Sequence, residues 1–186
     1  PSDVLTAAVF DYKQLAGNVT ISGREQIQNS GEQQLINLLE ARIGNLERSM
    51  ENSLASSLFS DGTGSSSKEI GGLQLVVADA GTGTVGGINS STFTFFQNKE
   101  ATATSSAFST ANIQSDMNGL YIQLVRGTDA PDLVVAGSTP YTTYLSTLQA
   151  LQRVADSRLA DLGFTAVKYL NSDVVYDSNC AATRMY

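Results

Sequence analysis

One segment of the sequence carries a helical pattern of apolar residues much longer than any other. The apolar positions recur every three or four residues, as on one face of an α-helix, and are Leu35, Leu39, Ile43, Leu46, Met50, Leu54 and Leu58. Asp61-Gly62 then supplies a stop signal. We predict one helix over 31–59, about 40 Å long at 1.5 Å per residue. That length exceeds what a compact domain of this size needs, so the helix is expected to lie across a sheet or along a subunit boundary.

Two weaker patterns precede the long helix. Residues 7–22 alternate apolar and polar side chains and predict a strand with a bend. Ser22 and Glu25 have the spacing of a capping box, in which each residue bonds the other's backbone N–H. Ser30 and Gln33 repeat that spacing. The sequence therefore predicts a short helix before the long one.

The rest of the chain alternates between short strands and helices. Gly- and Ser-rich residues predict a loop at 60–72, and 99–109 is interpreted as a linker with little to bury. Helices are predicted over 110–126 and from Pro140 to Val154. Strands are predicted at 73–78, 92–96, 132–136, 164–169 and 173–176. The helix–strand–helix–strand order of the second half is typical of a small α/β subdomain.

The composition excludes several classes of catalysis. The 186 residues contain no histidine and a single cysteine, Cys180. Ser-His-Asp and Cys-His catalysis, His-containing zinc sites and internal disulfides are therefore excluded within this chain. Cys180 lies among small and polar residues and is predicted to be an inert thiol. We expect a binding or structural role, with no catalytic, cofactor-binding or metal site.

Charge and hydropathy also argue against nucleic-acid and membrane binding. Eleven basic residues against eighteen acidic ones give a net charge of −7, and the basic residues form no patch. No apolar run approaches the roughly 20 residues of a membrane span, and no signal peptide opens the chain. The first residue is not methionine, and a new apolar run begins at the end. We expect a fragment of a longer protein.

A glycine cluster provides the main alternative function. The hexapeptide GTGTVG at 81–86 matches GxGxxG and follows a predicted strand. The next residues, 88–93, are polar and then β-like, whereas a dinucleotide site requires a helix there. A flexible hairpin loop is therefore favoured. The alternative is a nucleotide- or small-ligand-binding α/β enzyme that uses the Gly81–Gly87 loop.

Other candidate motifs have simpler structural interpretations. Lys68 follows serine rather than glycine, so a solvated loop is favoured over a P-loop. The carboxylate pairs Asp129/Asp132 and Asp156/Asp161 flank the ends of predicted elements, where aspartate commonly serves turns and caps. A tyrosine cluster in the second half is predicted to be partly buried core rather than a contact surface; its members are Tyr121, Tyr141, Tyr144, Tyr169 and Tyr176.

Several short stretches, taken in order, form a pattern that covers nearly the whole chain. They are VTISG at 19–23, QNSG at 28–31, LLEARI at 38–43, SDGTG at 60–64, IGGLQ at 70–74, TVGGIN at 84–89, VRG at 125–127, PDLVV at 131–135, FTAVKY at 164–169 and DVVYD at 173–177. Their order resembles the major capsid protein of tailed bacteriophages and prophages, with the Hong Kong 97-type fold. Where relatives tend to carry a tryptophan, this chain has Phe95-Phe96 and no tryptophan.

The resemblance implies an α+β fold in which an extended loop leads into a spine helix. Residues 1–22 would form the returning strand of that loop, and 23–109 a peripheral domain with the spine helix at 31–59. Residues 110–186 would form an axial α/β domain, from which part of the later strands can return to the peripheral domain. The glycine cluster would be a loop beside the peripheral sheet. The outgoing strand of the loop would precede Pro1, and the last strands would follow Tyr186.

The resemblance also implies a structural protein of the virion rather than an enzyme. Copies of the chain would assemble in the bacterial cytoplasm into hexamers and pentamers, forming an icosahedral shell around phage DNA. Scaffolding protein and portal would be further partners, and the DNA would be enclosed without a specific site. The residues expected to contribute to assembly are the loops of the axial half and Glu40, Arg42, Glu47 and Arg48. A third hypothesis, a cell-surface adhesion domain, is disfavoured because such domains are mostly all-β.

Overall fold

The computed structural model describes residues 7–28, 32–149 and 167–186. Within them the protein combines helices with short strands, which is an α+β composition as predicted. The chain divides into two compact units, Pro1–Val76 (unit 1) and Val77–Tyr186 (unit 2). This boundary differs from the division predicted between the peripheral and axial domains, which lies between 109 and 110.

Unit 1 is helical in its described part. The helices are α1 (Gly23–Gln28), α2 (Glu32–Ser57), α3 (Gly64–Ser67) and α4 (Leu73–Val76). The 26 residues of α2 match the long helix predicted over 31–59. α3 is a single turn in which Ser65 and Ser66 have left-handed backbone angles. The second predicted capping pair, Ser30 and Gln33, cannot be assessed because Ser30 lies outside the described residues.

Two predicted strands of unit 1 are wrong. Residues 7–22 form no strand, because their backbone groups meet no second strand. The run predicted as a strand over 73–78 contains the single turn α4. Its start is held against the end of α2, since Leu73 N–H donates to the Leu58 carbonyl at 2.7 Å. The Val76 N–H then bonds to Gly72 at 3.4 Å, which closes a helical turn.

Unit 2 contains both helices predicted for the second half and three of its strands. Its elements are α5 (Ile113–Leu124), α6 (Ser138–Gln149), β1 (Thr84–Val85), β2 (Ile88–Asn89), β3 (Leu133–Ala136), β4 (Val167–Tyr169) and β5 (Ser172–Tyr176), with short 3₁₀ turns at Asp79–Gly81, Thr94–Phe96 and Thr104–Ser106. The parts of the predictions that fall on 150–166 lie outside the described residues.

One further prediction in this unit is wrong and another is confirmed. The strand expected over 92–96 is a 3₁₀ turn, in which Phe93 and Phe95 pack edge to face at 5.9 Å between ring centroids. The segment 99–109 is largely exposed, as predicted, but two contacts attach it to the rest of unit 2. The carboxylate of Asp116 accepts hydrogen bonds from the Thr104 N–H at 3.0 Å and hydroxyl at 2.6 Å. Phe108 packs against the hydrophobic core.

The main sheet has the order β3-β5-β4. β3 pairs with β5 in parallel, and β4 pairs with β5 antiparallel. Side chains from this sheet and from α5 and α6 form the core, which comprises Ile113, Met117, Ala136, Tyr141, Tyr144, Val167, Tyr169 and Val174. Along β5 the alternation of buried Ser172 and Val174 with partly exposed neighbours is the period of two expected of a strand.

The C-terminal residues extend this sheet beyond β3. Val135 and Tyr186 exchange two backbone hydrogen bonds of 2.8 Å, and the Gly137 N–H donates to the Arg184 carbonyl at 2.9 Å. The segment 184–186 therefore runs antiparallel to β3 on the side away from β5. A Cβ on Gly137 would collide with the Ala181 carbonyl, so this close approach requires glycine.

Candidate assembly surface

The segment 7–22, here called the arm, lies along α2. Gly17 packs against Leu46, because a Cβ at position 17 would come within 2.5 Å of Leu46 Cδ1. The Arg42 guanidinium donates a hydrogen bond to the Thr20 carbonyl. Residue 17 of the arm thus lies beside residue 46 of α2, and residue 20 beside residue 42. The arm and the helix therefore run antiparallel. Glycine at position 17 is what permits this approach.

A hydrogen-bonded cluster of polar side chains fixes the point where the arm ends and α1 begins. Glu25 Oε2 accepts hydrogen bonds of 3.0 Å from both the N–H and the hydroxyl of Ser22, and the Glu25 N–H donates back to Ser22 Oγ at 3.4 Å. This is the predicted capping box. Arg42 forms an ion pair with the same carboxylate at 2.6 Å. These contacts lower the pKa of Glu25 below its ordinary value. The largest effect comes from the Ser22 N–H, followed by the Ser22 hydroxyl and then Arg42.

The other end of the attached arm lies at Lys13, whose ammonium donates to the carbonyl of Ser67. Before Lys13, residues 7–12 are exposed. No backbone–backbone hydrogen bond joins these six positions to any other described residue. We call residues 7–12 the free arm. Its backbone donors and acceptors, and its aromatic side chains, are available to a partner.

The apolar face of α2 remains largely uncovered. Leu39, Ile43 and Leu54 are exposed by 43, 42 and 49%, and Leu58, which directly follows the last residue of α2 and continues its apolar stripe, by 56%. Among the side chains of 7–25 and 38–76, none is buried, and the hydrophobic core of the described chain lies in unit 2. A regular apolar stripe is normally what anchors a helix to a core. At these four positions about half of the side-chain surface stays in contact with water, whereas Leu46 and Met50, which face the arm, are partly buried.

Charges of both signs border this stripe. Of the four residues predicted to contribute to assembly, Arg42 is engaged with Glu25 and the arm. The other three, Glu40, Glu47 and Arg48, are exposed and form no ion pair with a described residue. Arg48 is therefore the basic residue of this surface that remains available for contact with another molecule.

The loops of unit 2 include the glycine cluster of the alternative hypothesis. Val85 pairs with Ile88 in a two-stranded hairpin, and Gly86 and Gly87 have φ of 57° and 81°, as a tight hairpin turn requires. The residues that follow are a turn and then a 3₁₀ segment. This loop therefore does not lead into the helix N-terminus that would hold a pyrophosphate.

The carboxylate and thiol candidates occupy structural positions. Arg126 and Asp129 exchange backbone hydrogen bonds of 2.9 and 3.0 Å in a turn, and Asp132 directly precedes β3. Asp156 and Asp161 lie outside the described residues. Cys180 is buried, and its thiol donates to the Arg184 carbonyl at 3.6 Å. Burial first, and then Asp177, raise the pKa of this thiol.

The tyrosine cluster belongs largely to the core. Tyr169 packs edge to face against Tyr121 and Tyr144, at 5.9 and 6.0 Å between ring centroids. Its hydroxyl donates to Asn118 Oδ1, and that of Tyr144 donates to the Lys168 carbonyl at 3.1 Å. Burial raises the pKa of both hydroxyls. Tyr176, by contrast, is half exposed, and Lys68 lies on an exposed loop as predicted.

A search of the described residues for sites of other kinds gives two negative findings. Nowhere in these three ranges do three or more Cys, Asp or Glu side chains group as a metal site would require. None of the helices found there has both the length and the apolar character needed to cross a bilayer.

Sequence reasoning missed the attachment of the arm to α2. The Gly17-Asn18 pair predicts the bend within the strand expected over 7–22, whereas in the structure the lack of a side chain at Gly17 admits Leu46. The pairing of Arg42 with Glu25 was likewise not visible from spacing, because the two residues lie in different helices. The capping box was the one local signal, and it correctly marked the start of α1.

Comparison with known proteins returns no match: no family model, no curated protein and no solved structure is similar to this chain. The interpretation of the surface therefore rests on its own residues. They are the uncovered stripe of α2, its charged border and the arm.

Proposed function

We propose that this chain is a structural subunit that self-assembles, and specifically a phage-type major capsid protein. The observation that carries the proposal is the uncovered apolar stripe of α2, the longest element of the described chain. A long helix without a core of its own gains stability when copies of the chain cover it. Such contacts repeat around a symmetry axis and close into rings.

The size of the stripe suits reversible assembly. Fully burying one leucine or isoleucine contributes about 1.5–3 kcal/mol. Covering the exposed halves of four such residues would contribute roughly 3–6 kcal/mol per contact. A pair of subunits would thus bind weakly, with a dissociation constant of roughly 10⁻² to 10⁻⁴ M. Many such contacts, closing by symmetry, would still produce a stable shell that can correct errors during growth.

The electrostatics support the same role. The chain carries a net charge of −7, so a shell built from it would not bind strongly to the enclosed DNA. Lateral contacts would instead use the mixed charges beside the stripe, among them Glu40, Glu47 and Arg48. Scaffolding protein and portal are further partners under this proposal, and no catalytic step is assigned to the chain.

Three features support the finer assignment to the Hong Kong 97-type fold. The arm precedes the long helix and returns along it antiparallel, as the returning part of an extended loop would. α2 then takes the place of the spine helix. Unit 2 contains a parallel β3–β5 pair with α6 between them in sequence, as proposed for an axial α/β domain. Under this proposal the protein is located in the virion.

The direct test disrupts the stripe with charges. We expect Leu54→Glu/Leu58→Glu to abolish the self-association of the chain in sedimentation velocity and the formation of rings or shells in negative-stain microscopy. Both residues are half exposed, so the fold should tolerate the changes. The matched control is Asn52→Glu, an exposed position of the same helix, which should leave assembly intact. A wild-type chain that stays monomeric at its highest soluble concentration would contradict the proposal.

A second variant isolates the charged border. Arg48→Glu should impair shell formation without detaching the arm. Arg42→Glu should impair shell formation and also detach the arm, because Arg42 bonds Glu25 and Thr20. Normal particles from the Arg42→Glu/Arg48→Glu double variant would show that this edge has no part in assembly.

A further inference from the structure

A groove of about 640 Å³ opens on the surface of unit 2. One wall is the exposed side of α5, with Leu120 and Leu124, and another is formed by Leu133 and Val134 of β3. The segment 99–108 and the C-terminal residues 183–186 complete it. Its lining is mainly apolar, and its charged residues are Asp79, Lys99, Glu100, Asp116 and Arg184. Arg184 pairs with Asp79, and Asp116 accepts the hydrogen bonds from Thr104. The shape and chemistry suit an extended peptide with apolar side chains.

The C-terminal wall is also an edge of the main sheet. Arg184 and Tyr186 bond to β3, so the backbone N–H and C=O of Met185 between them point the opposite way. Neither of these Met185 groups hydrogen-bonds to another described residue. An unpaired edge of this kind is a template for an added strand.

The free arm has the complementary properties. Its backbone makes no backbone–backbone hydrogen bond with the described residues, and its sequence alternates so that Phe10 and Tyr12 would share one face of an extended strand. Both rings are exposed, Tyr12 completely. Asp11 lies between them, and it forms no ion pair with a described residue; the same holds for Lys99 at the groove. Asp11 of the arm and Lys99 of the groove therefore carry opposite charges.

We propose that the free arm of one copy binds in this groove of a second copy, as a strand added beside Met185. Phe10 and Tyr12 would enter the apolar groove, and Asp11 would pair with Lys99 at its rim. This inference rests on the proposed self-assembly and adds to it a contact distinct from the α2 stripe. The arm stays attached to its own α2 from Lys13 onward, so it would tie neighbouring subunits together.

The test uses the full chain and a fluorescent synthetic peptide of residues 7–13. The protein carries Phe10→Ser/Tyr12→Ser, so that its own arm does not compete. We expect saturable binding by fluorescence anisotropy. Leu133→Glu in the groove should weaken it at least tenfold, whereas Ile122→Glu, an exposed position of α5 outside the groove, should have no effect. No binding, or equal binding to both variants, would overturn the inference.

Two modified peptides test the mode of binding. In an added strand, alternate N–H groups face the edge. One peptide is therefore N-methylated at Val9 and Asp11, and another at Phe10 and Tyr12. We expect one of these two peptides to lose binding and the other to retain it. A peptide with Asp11→Lys should lose affinity for the protein and regain it with Lys99→Glu. A scrambled peptide that binds equally well would show that the arm is not the specific occupant and would overturn the proposal.

Sedimentation velocity separates this inference from the proposed function. If the wild-type chain self-associates through α2 but the peptide does not bind, only the groove contact fails. If the chain does not self-associate under any condition, the assembly proposal fails regardless of the peptide result.

Discussion

Gly17 and Leu46 form the contact that holds the arm against α2. A Cβ at position 17 would lie 2.5 Å from Leu46 Cδ1 and 3.3 Å from Met50 Sδ, so the backbone of the arm sits directly on these side chains. Two residues far apart in sequence are thus matched in size, and the glycine is required by packing rather than by its backbone angles.

This contact predicts a size-dependent defect. Gly17→Val should detach the arm, because the branched side chain cannot share the space with Leu46, and trypsin should then cleave several-fold faster after Lys13. Leu46→Ala in the same chain should largely restore protection, since it removes the colliding atoms. Gly23→Ala is the control, because nothing lies within 4 Å of a Cβ there. Unchanged cleavage in Gly17→Val would show that the arm is not held at this point.

The Tyr169 hydroxyl provides a test of the core of unit 2. Tyr169→Phe removes the hydrogen bond to Asn118 from a buried ring. We expect the free energy of unfolding in urea to fall by about 1 kcal/mol. Tyr176→Phe changes a half-exposed ring and should have little effect. Equal losses from the two variants would contradict a specific role for the buried hydroxyl.

The pairing of Asp79 with Arg184 predicts a pH dependence. Arg184 bonds both oxygens of Asp79 at 2.7 Å, and this hydrogen bonding lowers the pKa of the carboxyl below its ordinary value of 3.8. Because the folded-state pKa is lowered, the stabilisation is fully present above that ordinary value. It is lost as the pH falls through the lower folded-state value.

The measurement compares Asp79→Asn with the wild type in urea at neutral and acidic pH. The wild type should be more stable at neutral pH by less than about 1 kcal/mol, because the pair is partly exposed. The difference should vanish in strong acid. In an Arg184→Gln background the substitution should have little effect at either pH. A difference that grows as the pH falls would contradict the assignment.

Cys180 should react slowly with thiol reagents in the folded protein. Its side chain is buried and its pKa is raised, first by burial, so little reactive thiolate is present at neutral pH. Addition of denaturing urea should accelerate the reaction with a disulfide reagent by at least tenfold. Rapid stoichiometric labelling of the native chain would show that the thiol is accessible.

Elements whose hydrogen bonds are local could be predicted from the sequence. The period of apolar residues predicted α2, and the Ser22–Glu25 spacing predicted the cap of α1, because a helix satisfies its backbone within its own segment. The apolar runs at β3 and β5 were also recognised. They lie in a unit with two helices to cover them, so their propensity and their surroundings agree.

The conformation of the other alternating segments depends on long-range contacts that the sequence pattern does not contain. The arm, the run at 73–78 and the run at 92–96 all have strand-like sequences, but a strand exists only where a partner supplies its hydrogen bonds. No described segment pairs with them, so the first lies along α2 and the others contain short helical turns. The same reason explains why the edge at Met185 and the uncovered stripe of α2 could not be predicted: exposure depends on which surfaces the rest of the fold covers, and spacing along the chain does not encode that.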